Sequence, residues 1–404
     1  MKICGIIAEY NPFHKGHAHQ IAEIRKKLGE DTAIVCLMSG DWVQRGEAAL
    51  LPKQARATMA LQSGADLVLE LPLPWALSSA ERFASGGVSI LSRLGAVTHL
   101  SFGAEHPVLA DILELGEILR EQQTIQDTIK EMQSGISFAA ARERALYKKV
   151  QERAALLRSP NNILAVEYCK AIGVQGSSLE PVLIPRAGAG HDAAETADGM
   201  ASASEIRRRL RAGEDVRELV PAQNIDLLEQ TVQEGHALLD TGRLEAMMLA
   251  KLITMTPEQL GRLPDATEGI ENRLWQAIRE YRTLEDIVKA STTKRYPAAR
   301  LRRMLCCAFL GITRADSQGA PPYVKVLAFN DRGRSVLHQL RKSAGLPVLT
   351  KPAHGQKLEG AARQLLETEA MAADLHALAR PAWPTSRSGA EWLRGPVYLP
   401  GDKE

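Results

Sequence analysis

The first 210 residues alternate short apolar runs with stretches of helical periodicity. Four compact runs, rich in β-branched residues and bounded by polar turns, are typical of buried parallel strands: residues 1–8, 32–39, 65–71 and 97–102. Helical patterns fill the intervals, at residues 16–28, 53–63 and 79–94, and a mostly helical region, 114–157, precedes a helix at 161–171 and a strand at 180–184. Strand and helix in alternation predict an α/β domain with a parallel sheet.

The pattern changes near residue 213. Periodicity close to 3.6 predicts helices at residues 219–235, 245–253, 270–277 and 283–290, and a single apolar run at 323–329 predicts a strand. We therefore expect a first domain at residues 1–212 and a mainly helical C-terminal region with some strand at 213–404. Residues 380–384 and the last few residues are expected to be poorly ordered.

Composition narrows the class of protein. The 404 residues carry 50 Lys plus Arg and 48 Asp plus Glu, and a formal charge of +2 excludes a histone-like protein and an acidic disordered one. The apolar run at 67–77 is interrupted by Glu and Pro, and the N-terminal run is too short for a signal peptide. The five cysteines are scattered, without a CxxC pair, and are interpreted as reduced thiols. We expect a soluble cytoplasmic protein with no membrane partner.

The sequence GIIAEYNPFHKGH at residues 5–17 carries the strongest chemical pattern. A strand ends, a turn with Asn11 and Pro12 follows, and the HKGH sequence opens a helix. A helix N-terminus offers free N–H groups and a positive dipole end to phosphate, and a glycine lets the ligand approach the backbone. Two imidazoles three residues apart can donate to phosphoryl oxygens from one side. The alternative is a pair of surface histidines, but ligands of such sheets lie at the carboxyl ends of strands, as this turn does.

HxGH after the first strand resembles the signature of the HIGH-motif nucleotidyltransferase superfamily, and the longer string resembles the tRNA(Met) cytidine acetate ligases. The resemblance continues in order along most of the chain: SGDWVQRGE at 39–47, GADLVLELP at 64–72, SFGAE at 101–105, SPNNILAVEY at 159–168, SASEIR at 202–207, TKRY at 293–296 and VLAFNDRG at 326–333. It implies a Rossmann-like nucleotidyltransferase domain followed by a mainly helical C-terminal domain.

The activity implied is a ligase reaction with ATP and Mg²⁺ but without acetyl-CoA. Acetate would form acetyl-adenylate, and N4 of the wobble cytidine of elongator tRNA(Met) would take the acetyl group. The resemblance makes His14, His17 and Asp41 catalytic candidates, and no cluster of protein ligands is predicted to hold the metal. It places ATP contacts at Ile7, Ala8, Glu9, Tyr10, Asn11, Pro12, Phe13, His14, Lys15, Gly16, His17, Ala18, His19, Gln20, Gly103, Asn162, Arg186 and Arg207.

Several of these residues also have structural interpretations. Asp41 could orient substrate, hold Mg²⁺ or pair with Arg45. Lys53 and Arg56 share a helix face that is either solvated or contacts phosphate, and either could pair with Glu70 if that residue is buried.

The later candidates have alternatives too. Gly103, expected just past a strand, could serve a tight turn, and one asparagine of 161–162 could cap a helix, which leaves Asn162 as the ligand candidate. Arg186 follows a strand, with Pro185 where the family usually has Lys. The serines before Arg207 could simply cap its helix.

The neutral total hides a basic segment, residues 292–351, with 12 basic and two acidic residues and a net charge of +10. Aromatic rings among arginines can stack on unpaired bases, so the segment predicts contact with a single-stranded RNA loop rather than a merely solvated face. The candidates for tRNA contact are Lys294, Arg295, Tyr296, Arg300, Arg302 and Arg303.

Two other functions stay open. A small-molecule adenylyltransferase or acid–amine ligase could use the same catalytic domain, and a tRNA-binding protein could carry a degenerate nucleotide site. The basic segment disfavours the first, and the intact HKGH disfavours the second. The sequence makes no prediction of oligomeric state.

Overall fold

The computed structural model describes residues 1–186 and 201–400. Its strands are β1 (Ile3–Ala8), β2 (Ala33–Ser39), β3 (Trp42–Val43), β4 (Glu47–Ala48), β5 (Leu67–Leu71), β6 (His99–Ala104), β7 (Glu180–Pro185), β8 (Val324–Phe329), β9 (Val348–Leu349) and β10 (Val397–Tyr398). All except β3 and β4 join one sheet, in the order β10-β8-β5-β2-β1-β6-β7 with β9 beside β8. The pairing is parallel except between β5 and β8, which confirms the predicted α/β class.

Eighteen α-helices accompany the strands in the described residues. They are α1 (Lys15–Leu28), α2 (Lys53–Gln62), α3 (Leu73–Ala76), α4 (Ala80–Arg93), α5 (Leu109–Arg120), α6 (Gln122–Met132), α7 (Phe138–Val150), α8 (Pro160–Gln175), α9 (Ala203–Ala212), α10 (Ile225–Gln233), α11 (Thr241–Ile253), α12 (Pro257–Gly261), α13 (Ile270–Glu280), α14 (Leu284–Ser291), α15 (Ala298–Leu310), α16 (Asp331–Ser343), α17 (Pro352–Gly355) and α18 (Gly360–Leu378). None of them is both long and apolar enough to cross a membrane.

The central strands are apolar throughout because helices cover both faces of the sheet. All seven residues of β2 are buried, and so are the first five of β1. Alternate residues of β2 enter opposite cores: Val35 and Leu37 pack in one, Ile34 and Cys36 in the other. All five cysteines are free thiols, and all five are buried.

A third core holds the helices of the C-terminal region, from α11 to α15, together with part of α18. Trp42 and Ala48 of the two-stranded hairpin β3–β4 pack in this core, so the hairpin joins the helical bundle to the sheet. The predicted strand at 323–329 is confirmed as β8, and it pairs with β5 of the first half of the chain. The predicted division at 212 and 213 stays a prediction.

Two local predictions are wrong. β6 continues to Ala104, so Gly103 lies within the strand, paired with Ile184, and not past its end. The prediction of poor order at residues 380–384 is wrong for Arg380, which is 7% exposed and whose guanidinium bonds to His376 of α18. The last residues, 401–404, lie outside the described part of the chain.

Candidate active site

The turn after β1 and the first residues of α1, residues 9–17, form the HKGH turn. His14 is the N-cap of α1: its Nδ1 accepts from the amide of Gly16 at 3.1 Å, and its own amide donates to Nδ1 of His17 at 3.2 Å. The two rings stack with centroids 3.7 Å apart and planes inclined by 28°. The predicted helix start is confirmed, with imidazoles in the role that Ser and Glu play in a capping box.

This bonding pattern fixes where the imidazole protons are. Because each Nδ1 accepts a backbone N–H, the proton of each neutral ring must lie on Nε2. Burial and then the charge of Arg186 lower the pKa of His14 to about 3. Burial, His14 and Arg186 place the pKa of His17 well below its ordinary value. At neutral pH the turn therefore presents two neutral Nε2–H donors.

Gly16 allows the stacked arrangement. A Cβ at this position would lie 2.9 Å from Cε1 and 3.1 Å from Nδ1 of His14, so the imidazole would have to move. The absence of a side chain at Gly16 thus leaves room for the ring of His14, in addition to allowing a ligand to approach the backbone closely.

Backbone and side-chain bonds hold the preceding residues of the turn. The amide of Gln44 donates to Glu9 at 2.8 Å, and the amide of Leu50 donates to Oδ1 of Asn11 at 2.8 Å. Burial raises the pKa of Glu9, although the Gln44 amide opposes that shift. Nδ2 of Asn11 is buried and has no hydrogen-bond partner among residues 1–186 and 201–400. A buried amide donor without a partner is a feature that a ligand's oxygen would satisfy.

A second group of residues lies at the carboxyl ends of β6 and β7. Glu105 accepts from Nδ2 of Asn161 at 2.6 Å and from the amide of Asn162 at 2.9 Å. Arg186 reaches Oδ1 of Asn161 at 3.5 Å, and its side chain passes 3.4 Å from the Cβ position of Gly103. Gly103, Asn161 and Arg186 are thereby brought together at the sheet edge that carries the HKGH turn.

The asparagine pair differs from the sequence-based expectation. The N-cap of α8 is Ser159, with Pro160 as the first helical residue, so neither asparagine caps the helix. Oδ1 of Asn162 accepts from the amide of His106 at 3.0 Å, and Asn161 is the residue that contacts Arg186. Neither Asn161 nor Glu105 was among the candidates that the sequence indicated. Their position in the motifs SFGAE and SPNNILAVEY could have indicated them.

Arg207 is 8% exposed and lies directly behind the HKGH turn. Its guanidinium donates to the carbonyl of Asn11 at 2.8 Å and lies 3.2 Å from Glu47 of the hairpin. Ser202 caps α9 by accepting from the amide of Glu205 at 3.2 Å, which is one of the two alternatives left open by the sequence. Arg207 therefore holds the shape of the turn through the Asn11 carbonyl.

Asp41 lies on the other side of the hairpin, 5% exposed. Oδ1 accepts from the amide of Lys53 at 2.9 Å and is 3.9 Å from Nδ1 of His376 and 4.0 Å from Arg380. Burial would raise its pKa, but His376, Lys53 and Arg380 together hold the pKa of Asp41 below its ordinary value. Its carboxylate thus ties the start of the hairpin to α18, a contact that the sequence did not predict.

Lys53 and Arg56 do not form a solvated face, because both side chains are buried. Lys53 pairs with Glu70 at 2.9 Å, as one alternative predicted, and Lys325 of β8 adds a second cation 2.8 Å from Glu70. Arg56 donates instead to backbone carbonyls, among them that of Ser39 at 3.0 Å. The spacing of Lys53 and Arg56 could not predict their burial, because the strand that covers them, β8, comes from the C-terminal half of the chain.

The basic segment 292–351 is only partly a surface. Tyr296 is 4% exposed, its hydroxyl bonds to Thr267, and Arg300 covers its ring at 4.3 Å, so it cannot stack on a base in this structure. Arg295 pairs with Glu268, whereas Lys294 and Arg302 are exposed. The interpretation of Tyr296 as a base-stacking residue is therefore wrong: the ring completes the core of the helical region instead.

Comparison with known proteins agrees with this geometry. A family model described as HIGH Nucleotidyl Transferase matches residues 1–390, and the chain belongs to that class, with its Rossmann-like fold and helical C-terminal region. It is 34% identical over 416 aligned residues to the tRNA(Met) cytidine acetate ligase of Acetivibrio thermocellus, covering 99% of this chain and 100% of the relative. The corresponding ligase of Clostridium kluyveri is 36% identical over 368 residues, covering 87% and 90%. The chain is a member of this family of ligases.

Solved structures support the same conclusion. Thermotoga maritima TmcAL without ligand superposes with a TM-score of 0.93 at 26% identity, covering 99% of this chain and 100% of the other. The same protein bound with alpha-thio ATP superposes with a TM-score of 0.92.

Proposed function

We propose that this protein forms acetyl-adenylate from acetate and ATP and then acetylates N4 of the wobble cytidine of elongator tRNA(Met). In the first step a carboxylate oxygen of acetate bonds to the α-phosphorus while the bond to the bridging oxygen of the β-phosphate breaks, releasing pyrophosphate. In the second, N4 attacks the carbonyl carbon, AMP leaves, and the displaced N4 proton passes to solvent. The reaction requires no acetyl-CoA.

The observation that carries this proposal is the stacked histidine pair. His14 and His17 offer two neutral Nε2–H donors at the N-terminus of α1, and Arg186 lies close enough to lower both pKa values. A phosphoryl-transfer transition state spreads negative charge over the phosphoryl oxygens and needs oriented donors more than a nucleophile. Both imidazoles are already neutral, oriented and held by backbone bonds, so little reorganisation is required when charge develops.

The residues around the turn suit the triphosphate of ATP. Donors predominate: the two imidazoles, the guanidinium of Arg186 and the unpartnered Nδ2 of Asn11. Mg²⁺ keeps most of its water ligands and binds through substrate phosphates, so it would enter with ATP and neutralise charge on the triphosphate. Within the described residues no group of three His, Cys, Asp or Glu side chains is arranged to hold a metal ion.

We assign the ATP site to residues 7–20 with Gly103, Asn162 and Arg186, and add Asn161. Arg207 and Asp41 are assigned positioning roles, because the guanidinium of Arg207 bonds to the Asn11 carbonyl and the carboxylate of Asp41 faces Lys53, His376 and Arg380. Lys294 and Arg302 are proposed contacts for the tRNA. Because the proposed substrate is a tRNA, we also propose that this ligase acts in the cytoplasm. Arg302 begins the stretch of α15 that touches the hairpin at Gly46, so this exposed cation adjoins the hairpin.

The test combines purified protein, ATP, Mg²⁺ and carboxyl-labelled acetate with transcripts of elongator tRNA(Met). The proposal expects label on the wobble cytidine, with one AMP and one pyrophosphate formed for each acetyl group transferred. A transcript with uridine at the wobble position, which has no N4 amine, is the matched control and should remain unlabelled.

Other outcomes separate the competing functions. Label that stays in free adenylate, or passes to a small amine with the tRNA unlabelled, would support a small-molecule ligase. Binding of the transcript without acetate-dependent exchange between ATP and pyrophosphate would support a tRNA-binding protein with an inactive nucleotide site.

A further inference from the structure

The hairpin β3–β4, residues 42–48, lies between the HKGH turn and helix α15. On one side the amide of Gln44 donates to Glu9 at 2.8 Å, and Glu47 lies 3.2 Å from Arg207, which in turn holds the carbonyl of Asn11. Both contacts reach residues that precede the two histidines. The hairpin is therefore bonded to the HKGH turn directly at Glu9, and through Arg207 at Asn11.

On its other side the hairpin rests on the backbone of α15. A Cβ on Gly46 would lie 2.6 Å from the carbonyl carbon of Arg302, so no side chain separates the two backbones. Sγ of Cys306 donates to the carbonyl of Gly46 at 3.0 Å. Packed interiors do not compress, so a displacement of α15 must displace the hairpin. Arg302, at this contact, is also an exposed cation of the basic segment.

Buried polar atoms without partners gather along this path. Nδ2 of Asn11, Nε2 of Gln44 and Nε of Arg303 have no hydrogen-bond partner in the described part of the chain. Buried polar groups in folded proteins are nearly always bonded. Three such atoms between the turn and α15 show that this contact is incompletely bonded within the described residues.

We propose that RNA bound to α15 shifts the hairpin and thereby stimulates adenylate formation, with Gly46 and Cys306 as positioning residues. The inference rests on the proposed function and adds an order of steps to it. The enzyme activates acetate fastest after the acceptor RNA has bound. Such coupling has a chemical consequence, because an acyl-adenylate formed without an acceptor is exposed to hydrolysis by water. The route passes from Arg302 through Gly46 to Glu47, Arg207 and Asn11.

The experiment measures acetate-dependent exchange between ATP and labelled pyrophosphate, with and without the wobble-uridine transcript. This RNA cannot accept the acetyl group, so the exchange rate reports adenylate formation alone. The saturating concentration of the RNA is determined beforehand from its binding curve. For the unaltered protein we expect RNA to raise the exchange rate by roughly fivefold or more, the lower end of coupling between two sites.

The contact itself is tested on α15. Cys306→Ala removes the bond to Gly46 and should abolish most of the stimulation, while exchange without RNA and the RNA dissociation constant stay unchanged. Cys306→Ser keeps a donor and should restore stimulation. Cys307→Ala is the matched control, because Cys307 is equally buried in the same helix without a bond to the hairpin among the described contacts.

The outcomes distinguish the two proposals. Equal exchange with and without RNA, in a protein that still acetylates the cytidine transcript, overturns the coupling and leaves the proposed function intact. Equal loss of stimulation in Cys306→Ala and Cys307→Ala overturns the route through Gly46. Absence of any acetate-dependent exchange overturns the proposed function itself.

Discussion

The imidazoles of His14 and His17 stack 3.7 Å apart, and each uses its Nδ1 to accept a backbone N–H of the turn that joins them. The same bonds that cap α1 therefore orient both Nε2–H groups and fix the tautomer. Capping uses Nδ1 of each ring and the proposed catalysis uses Nε2, so substitution can separate the two roles.

His14→Asn is designed for that separation. An asparagine at the N-cap accepts the amide bond as well as histidine does, but it has no donor at the position of Nε2. We expect the rate of acetate-dependent pyrophosphate exchange to fall by about 10²- to 10³-fold, the cost of one oriented donor to a developing charge. The melting temperature should stay close to that of the unaltered protein, whereas His14→Ala should lower both quantities. Normal exchange in His14→Asn would remove His14 from the reaction.

Gly16→Ala displaces the same ring from the other side. The added Cβ would lie 2.9 Å from Cε1 of His14, and a displacement of about 1 Å in a reacting group can cost roughly 10²-fold in rate. Alanine favours a helix by roughly 0.4–1 kcal/mol, which offsets the cap bond that the displaced imidazole weakens, so the free energy of unfolding should change little. Gly242→Ala is the matched control: it is also the second residue of its helix, α11, and its Cβ would lie 3.6 Å from Asp240. Exchange kinetics measure the activity and urea denaturation measures the stability. A loss of rate without a loss of stability would mean that Gly16 is needed for the position of the His14 ring.

The sequence predicted the parts of this site that are local. Residues 5–17 form a strand, a turn and a helix start, and each is determined by neighbours within a few positions. The partners of Asp41 are different, because His376 and Arg380 come from α18 and the segment after it, at the other end of the chain. Periodicity describes which face of an element is apolar, and it says nothing about which distant element covers that face.

More charged residues are buried than the sequence predicted, because the elements that cover them are also distant in the chain. Lys53 could be paired with Glu70 from sequence, but their enclosure depends on the antiparallel pairing of β8 with β5, which brings Lys325 beside Glu70. Tyr296 shows the converse: its basic neighbours suggested an RNA surface, and only the packing of α13–α15 shows that the ring is interior.

Asp41→Asn tests whether that residue positions the hairpin or contacts substrate. The amide keeps the shape and the bond from the Lys53 backbone but loses the charge opposite His376 and Arg380. A hydrogen bond to a charged group contributes about 1.5–3 kcal/mol and one to a neutral group about 0.5–1.5 kcal/mol, so we expect the free energy of unfolding in urea to decrease by about 1 kcal/mol. The Michaelis constant for ATP should change little. Unchanged stability with a loss of rate of about 10²-fold would instead restore Asp41 as a catalytic residue.

Buried neutral histidines make stability depend on pH. Burial lowers the pKa of His376 from 6.5 to about 4 and that of His14 from 6.5 to about 3. Below pH 6.5 the unfolded chain binds protons that the folded protein does not, so stability falls as pH decreases from 6.5 toward these lower values. Between pH 7.5 and 5.5 each histidine should cost at most about 1.4 kcal/mol. Urea denaturation at the two pH values measures the difference, and His376→Gln should reduce it by one histidine's share.

Exposed and buried members of the basic segment should differ in their effects on RNA binding. Lys294 and Arg302 are exposed, so Lys294→Ala and Arg302→Ala should weaken binding of the tRNA transcript at all salt concentrations. Removal of one cation that neutralises a phosphate should reduce the slope of log affinity against log salt by about 1. Lys26→Ala is the matched control, since Lys26 is a similarly exposed cation on α1.

Tyr296→Phe completes this comparison. It removes the hydroxyl that bonds to Thr267 and leaves the ring beneath Arg300 in place. Because the ring is interior, we expect the free energy of unfolding to fall by about 1 kcal/mol, the contribution of one neutral hydrogen bond, with RNA affinity and its salt slope unchanged. Urea denaturation measures the first quantity, and filter binding over a salt series measures the other two. Weaker binding by Tyr296→Phe at unchanged stability would mean that the tyrosine leaves the core to meet the RNA, and would return it to the binding surface.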